Sequence, residues 1–211
     1  MSILALELST GRGSLAWQGD DSSMRRFVTW PNDRKDSGQF FEHLKSVIEE
    51  FGKPTKIVIG LGPGSYAGVR IAISVGIGLA AAAGHSAELL GYPSICAIDG
   101  APGKYAVIGD ARRQSFFIAT VENRVVVGGY QLLTEGALRE ELRQLRTNLP
   151  VFSFDGLTQF RPGVEQRHPS AEVLGDLIAA GRVRFVRPPL EPIYLRDANV
   201  TMPRAAKSSS K

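Results

Sequence analysis

"GLGPGSYAGVRIAISVGIGLAAAAG", residues 60–84, reads as the end of a strand, a glycine-rich turn and a long apolar helix that carries Gly68, Gly76 and Gly78 in its interior. Each interior glycine costs about 1 kcal/mol relative to alanine. Something that a larger side chain would prevent must offset that loss: a phosphate, the chain's own sheet, or another chain. Ser65 stands where an N-cap accepts a backbone N–H from the first turn. Val69, Ile73, Ile77 and Ala80 form one apolar row and Ile71, Val75, Leu79 and Ala82 another, so the helix is apolar on more than one side. One sheet does not cover both rows, and a wet row exposes a sticky patch. The small residues Gly68, Ala72, Gly76 and Gly78 point to close approach by a partner helix, with glycines facing the chain's own sheet as the competing explanation.

Around this segment the pattern repeats. "ILALELSTGRGSLAWQ" alternates apolar residues about a glycine turn and predicts a hairpin. "DSGQFFEHLKSVIEEFGKP" puts Phe40, Leu44, Val47, Ile48 and Phe51 on one helical face, with Asp36 and Gln39 spaced as a capping box and Gly52 past the end. "KIVIGL" is a buried strand that feeds the glycine turn. After "GAPGK", residues 100–104, a hairpin pattern restarts in "YAVIGDARRQSFFIATVENRVVVGGYQLL". Helices follow in "TEGALREELRQLR", capped by Thr134, and in "HPSAEVLGDLIAAG", with a strand in "VFSFDG" between them. The expected division is a first lobe over 1–102, a second over 103–196, and a polar, basic tail over 197–211 that is expected to fray and includes Arg204, Lys207 and Lys211.

Composition narrows the chemistry. The 211 residues are 43% hydrophobic, and 25 Lys and Arg against 21 Asp and Glu give a net charge of +4, too slight to announce a nucleic-acid binder. The single Cys96 excludes an internal disulfide framework and favours a reducing compartment, read as the cytoplasm. No basic leader precedes an apolar run, and no window is long and apolar enough to span a membrane. Gly62, Gly64 and Ala67 satisfy a dinucleotide turn formally, but Glu88 opens the next apolar run instead of closing it. "AGVR" lacks the lysine of a phosphate-binding P-loop, and no G-x-S-x-G elbow surrounds Ser65. His43, His85 and His168 have no histidine at helical spacing, so no metal pair is expected. Arg112 and Arg113 beside Asp110 read as a charged turn. "STGRG" and "GDARRQ" leave open a free-standing ATP-dependent phosphotransferase, with a peptidase as a remote alternative.

"ILALELSTG", "GLGPGSYAGVRIAISVGIGLA", "GDARRQSFF" and "PLEPIYLR" together resemble the bacterial TsaB (YeaZ) family, from the first strand to about Arg196. The resemblance implies an α/β fold of two actin-like lobes of the sugar kinase, Hsp70 and actin class (ribonuclease H-like), each a mixed sheet flanked by helices. It also implies a non-catalytic scaffolding subunit that binds TsaD, required for threonylcarbamoyladenosine modification of transfer RNA, without a cofactor. Further expectations are a TsaE-type ATPase on the assembled pair, a homodimer when alone, and only indirect contact with transfer RNA. The chain departs from the family pattern at Glu7, where an aspartate is usual, at Asp36, Ser37 and Gly38, and at Tyr66 and Ala67. The histidine pair of the catalytic relatives has no counterpart, so no catalytic or metal residue is carried over. The partner interface implied by the two helices comprises Phe40, Phe41, Leu44, Tyr66, Val69, Arg70, Ala72, Ile73, Gly76, Ile77 and Ala80.

Overall fold

A computed structural model describes residues 1–21, 24–32, 38–84 and 86–196. Asp36 of the expected capping box, its neighbour Ser37, His85 and the tail from 197 lie outside the described residues.

The opening hairpin forms as Ile3–Glu7 (β1) and Arg12–Gln18 (β2), continued by Arg25–Pro31 (β3). Gly38–Phe51 (α1) leads to Lys56–Gly60 (β4), then Tyr66–Ala82 (α2) leads to Glu88–Tyr92 (β5). These strands make one sheet in the order β3-β2-β1-β4-β5, antiparallel across β3, β2 and β1 and parallel across β1, β4 and β5. The second half repeats the plan with Lys104–Asp110 (β6), Ser115–Glu122 (β7), Val125–Thr134 (β8), Glu135–Gln144 (α3), Val151–Ser153 (β9), Val164–Gln166 (β10) and Ala171–Ala180 (α4). Its sheet runs β10-β9-β6-β7-β8 with the same mix of directions. Both lobes are thus mixed five-stranded sheets flanked by helices, and each hairpin read from the sequence is the first two strands of a three-stranded meander.

The caps are made as the residue types dictate. Ser65 accepts from Gly68 N at 3.3 Å, Thr134 from Ala137 N at 3.4 Å, and Gly181 closes α4 at φ +62°. Three apolar clusters give a layered molecule. α1 and α2 cover one face of the first sheet, with Leu4, Leu6, Trp17, Ile57 and Ile59 beneath them. α3 covers the outer face of the second sheet through Leu138 and Leu142. Between the sheets lies the core of Ala5, Val58, Tyr105, Val107, Phe117, Phe152 and Leu174. The expected second lobe, 103–196, is not a separate packing unit, because α4 returns across β1, β2 and β4. Gln18 Nε2 donates to Asp176 Oδ1 at 2.9 Å, Ala171 N to Ser14 Oγ at 2.9 Å, and Ile193 N to Leu61 O at 2.8 Å.

Candidate functional site

α2 is seated by its glycines. A Cβ on Gly68 would lie 2.1 Å from Leu8 O, and one on Gly64 2.0 Å from Ser9 O, so the turn and the first helical turn press directly on the backbone that follows β1. Further along, a Cβ on Gly76 would meet Ile59 Cδ1 at 2.5 Å and Leu89 Cδ1 at 3.0 Å. Gly78 is different: nothing lies within 4 Å of its missing Cβ. The small-residue row Gly68, Ala72, Gly76, Ala80 therefore faces the chain's own sheet, flanked by buried Val69 and Ile73.

This corrects the expected interface. Val69, Ala72, Ile73, Gly76 and Ala80 are buried under α2, and Phe40 and Leu44 under α1, all within the single chain. A sheet takes whichever face of a two-sided apolar helix lets backbone come closest, and here that face is the small one. Four of the eleven residues remain outside: Phe41 at 47% exposure, Tyr66 at 54%, Ile77 at 54%, and exposed Arg70. The outer face of α2 then reads Ala67, Arg70, Ser74, Ile77, Gly78, Ala81, with Ile71, Val75 and Leu79 half-buried along one side. α1 lies over β2 and β3 while α2 lies over β4, β5 and β1, so the two helices share one outer surface. Lys53 Nζ ties their ends together by donating to Ala82 O at 2.8 Å.

At the N-terminus of α2 this surface meets a cleft of about 410 Å³ between the lobes. The β1–β2 turn lines it through Ser9, Thr10 and Gly11, the glycine turn through Pro63 to Tyr66, and the β6–β7 turn through Asp110 to Arg112. "STGRG" and "GDARRQ", 100 residues apart in sequence, thus face one space. Arg112, Arg113 and Gln114 all have positive φ, +67°, +54° and +59°, a run that L-residues rarely adopt. Asp110 holds the turn by accepting from Arg112 N at 2.6 Å and Nη1 at 3.0 Å. His168 also joins the lobes, its Nδ1 lying 3.0 Å from Thr10 Oγ1. Thr10 Oγ1 also lies 3.1 Å from Arg12 O, so one hydroxyl bridges the imidazole and the backbone of the turn. Partial burial, and then the neighbouring Arg12, hold the imidazole pKa below the ordinary range. Tyr194, absent from the expected interface, packs against Tyr66 with ring centroids 5.4 Å apart and planes tilted by 35°, and the Arg70 guanidinium lies 5.0 Å over the Tyr66 ring. Its sequence signal is the apolar pair Ile193 and Tyr194 in an otherwise proline-rich stretch.

Glu7 is wholly buried at the end of β1. Its Oε1 accepts from Ser9 N at 2.7 Å, while Oε2, beside Gly60, has no hydrogen-bond partner among the described residues. Burial pushes its pKa above the ordinary 4.5, with Ser9 and Ser94 pulling it partly back. The folded chain therefore holds this proton more tightly than the unfolded chain does. The associated stability is complete below pH 4.5 and is lost as pH rises through the folded value. Glu7→Gln, which keeps the acceptor and removes the charge, is expected to gain about 1–3 kcal/mol at pH 8. Urea unfolding of both forms checks this: the gain must shrink toward pH 4.5, and a gain independent of pH would contradict it.

Fold and site together define a two-lobed α/β protein built on two mixed five-stranded sheets flanked by helices. A protein from Pseudomonas aeruginosa, described by its similarity to peptidase YeaZ, matches with a TM-score of 0.70 and 22% identity, over 92% of this chain and 99% of its own. YeaZ from the same organism matches with a TM-score of 0.69 and 21% identity, over 92% and 100%. No protein-family model and no curated protein matches the sequence. The chain has the YeaZ fold, in line with the resemblance its motifs carry. Among the described residues no helix is long and apolar enough to cross a membrane.

Proposed function

We propose that this chain is a non-catalytic subunit of the TsaB (YeaZ) type, which docks a TsaD-type transferase through the outer surface of α1 and α2 and supports threonylcarbamoyl transfer to adenosine in transfer RNA. The observation that carries the reading is Ile77, 54% exposed beside the open space over Gly78, on a helix whose other face is already buried. Phe41, Tyr66 and Arg70 extend the patch, and an aromatic, apolar and arginine composition is typical of binding hot spots. The experiment is co-purification of the chain with a TsaD-type subunit, wild type against Ile77→Glu, with modification of a transfer RNA transcript as the second readout. Loss of both on substitution is the expected result, and a complex unaffected by it would remove this surface from the reading.

A phosphotransferase reading has one observation in its favour, the convergence of two turns on the cleft. Glu7 argues against it: the strand-end acid is wholly buried and does not line the cleft, so it presents no carboxylate there to a cation beside a phosphate. Calorimetry of the isolated chain with ATP at about millimolar concentration is expected to give no binding heat, and a clear isotherm would restore that reading.

A further inference from the structure

The charge of the chain is unevenly placed. Residues 181–211 hold seven Lys and Arg against two Asp and Glu, a net of +5, which leaves residues 1–180 at −1. The described part of that stretch leaves α4 and runs back along β5, the edge of the first sheet, where Val186 and Gly91 exchange N–H···O bonds of 2.9 Å in both directions. Val183 and Phe185 turn inward, the latter onto Tyr92 at a ring distance of 4.9 Å. Arg182 and Arg184 alternate with them and are exposed, and the Arg187 side chain is 79% exposed while touching Glu88 Oε1 at 3.1 Å. Arg25, Arg26, Arg112, Arg139, Arg143 and Arg167 each meet a carboxylate elsewhere on the surface. Arg182 and Arg184 meet none among the described residues.

We infer that this arginine strip is a docking surface for a polyanion, and that the polyanion is RNA. Guanidinium groups are forks matched to phosphate oxygens, and backbone two residues apart spans at most about 7 Å, so successive arginines can follow successive phosphates. The strip has little to hold a protein, since its one large exposed apolar residue is Val186, and it is not the amphipathic helix a membrane surface selects. Polyanion binding stands on the charge placement alone; RNA as the occupant rests on the proposed function. The strip does not include Phe41, Tyr66, Arg70 or Ile77, so its occupant and a docked subunit make separate demands.

The test uses the intact chain and a fluorescently labelled transfer RNA transcript, with anisotropy measured from about 50 to 300 mM KCl. The wild type is expected to bind with log K falling linearly against log salt. The triple variant Arg182→Gln, Arg184→Gln and Arg187→Gln is expected to bind about tenfold more weakly at the lowest salt, with the slope reduced by about 2. All three side chains are exposed, so the variant is expected to keep the thermal midpoint of the wild type. Unchanged affinity and slope would overturn the proposal. So would tighter, arginine-dependent binding of a polyglutamate peptide or of phosphatidylserine vesicles. Co-purification of the same variant with a TsaD-type subunit separates the two readings: retained docking with lost RNA binding supports the strip, and RNA binding through these arginines without any docking removes only the proposed function.

Discussion

Gly68→Ala is expected to destabilise the chain by about 3–5 kcal/mol and Gly76→Ala by about 1–3 kcal/mol, whereas Gly78→Ala stabilises it by about 1 kcal/mol. One helix and one chemical change thus give effects of opposite sign. Alanine in place of glycine gains helix propensity at all three positions. At Gly78 that gain stands alone, because the added methyl enters open space. At Gly76 the methyl meets the tips of Ile59 and Leu89, side chains that shift at the expense of packing. At Gly68 it meets Leu8 O at 2.1 Å, a backbone atom held where the chain leaves β1. The helix must then lift, which unseats Val69 and Ala72 and loosens the Ser65 cap. Urea titration reads the series, with the midpoint moving and the slope unchanged for a pure stability effect. For a chain of this length each kcal/mol moves the thermal midpoint by about 2–4 °C, so Gly78→Ala rises by that much and Gly68→Ala falls by more than about 6 °C. Equal shifts at Gly68 and Gly78 would mean that α2 does not sit on the sheet as described.

The repeated plan was legible because each half opens on an alternating apolar hairpin followed by an amphipathic helix, and alternation at period two differs from a stripe at period 3.6. β3 was not: "RRFVTWP" begins with two arginines and lies at a sheet edge where most of its side chains are exposed, so it carries no clear alternation. β10 is three residues long and offers no pattern. The face of α2 that meets the sheet was illegible for another reason. A helix apolar all round has no preferred direction in the sequence, and a row of small residues serves a sheet as well as a partner helix. The deciding contact is Gly68 against Leu8 O, a distance that exists only once the fold is formed. Glu7 follows the same logic, since an acid between Leu6 and Leu8 shows nothing of the Gly60 and Ser94 that seal it. The His168 contact with Thr10 joins residues 158 apart, beyond any local signal.

Gly78→Leu and Ile77→Glu are both expected to abolish docking of a TsaD-type subunit, with affinity reduced about 30-fold to 1,000-fold, in a chain that remains folded. The two act through different physics. A partner that buries Ile77 must take the glutamate out of water without a matched cation, at a cost of about 2–4 kcal/mol typical of a hot spot. Gly78→Leu adds volume where a facing backbone would approach, while replacing a poor helix former with a good one, so the isolated variant should melt no lower than the wild type. That pairing of unchanged or raised stability with lost binding is the signature of an interface position. Phe40→Ala supplies the contrast: Phe40 is 1% exposed, stacked beside Trp30 at 6.1 Å, and its truncation should cost about 3–5 kcal/mol of stability. Any loss of docking there must track the unfolded fraction. Isothermal titration of a TsaD-type subunit against the variants, each with its own melting curve, distinguishes the cases. If Gly78→Leu and Ile77→Glu bind as the wild type does, the exposed row of α2 is only solvent-facing surface, and a partner must use another face of the molecule.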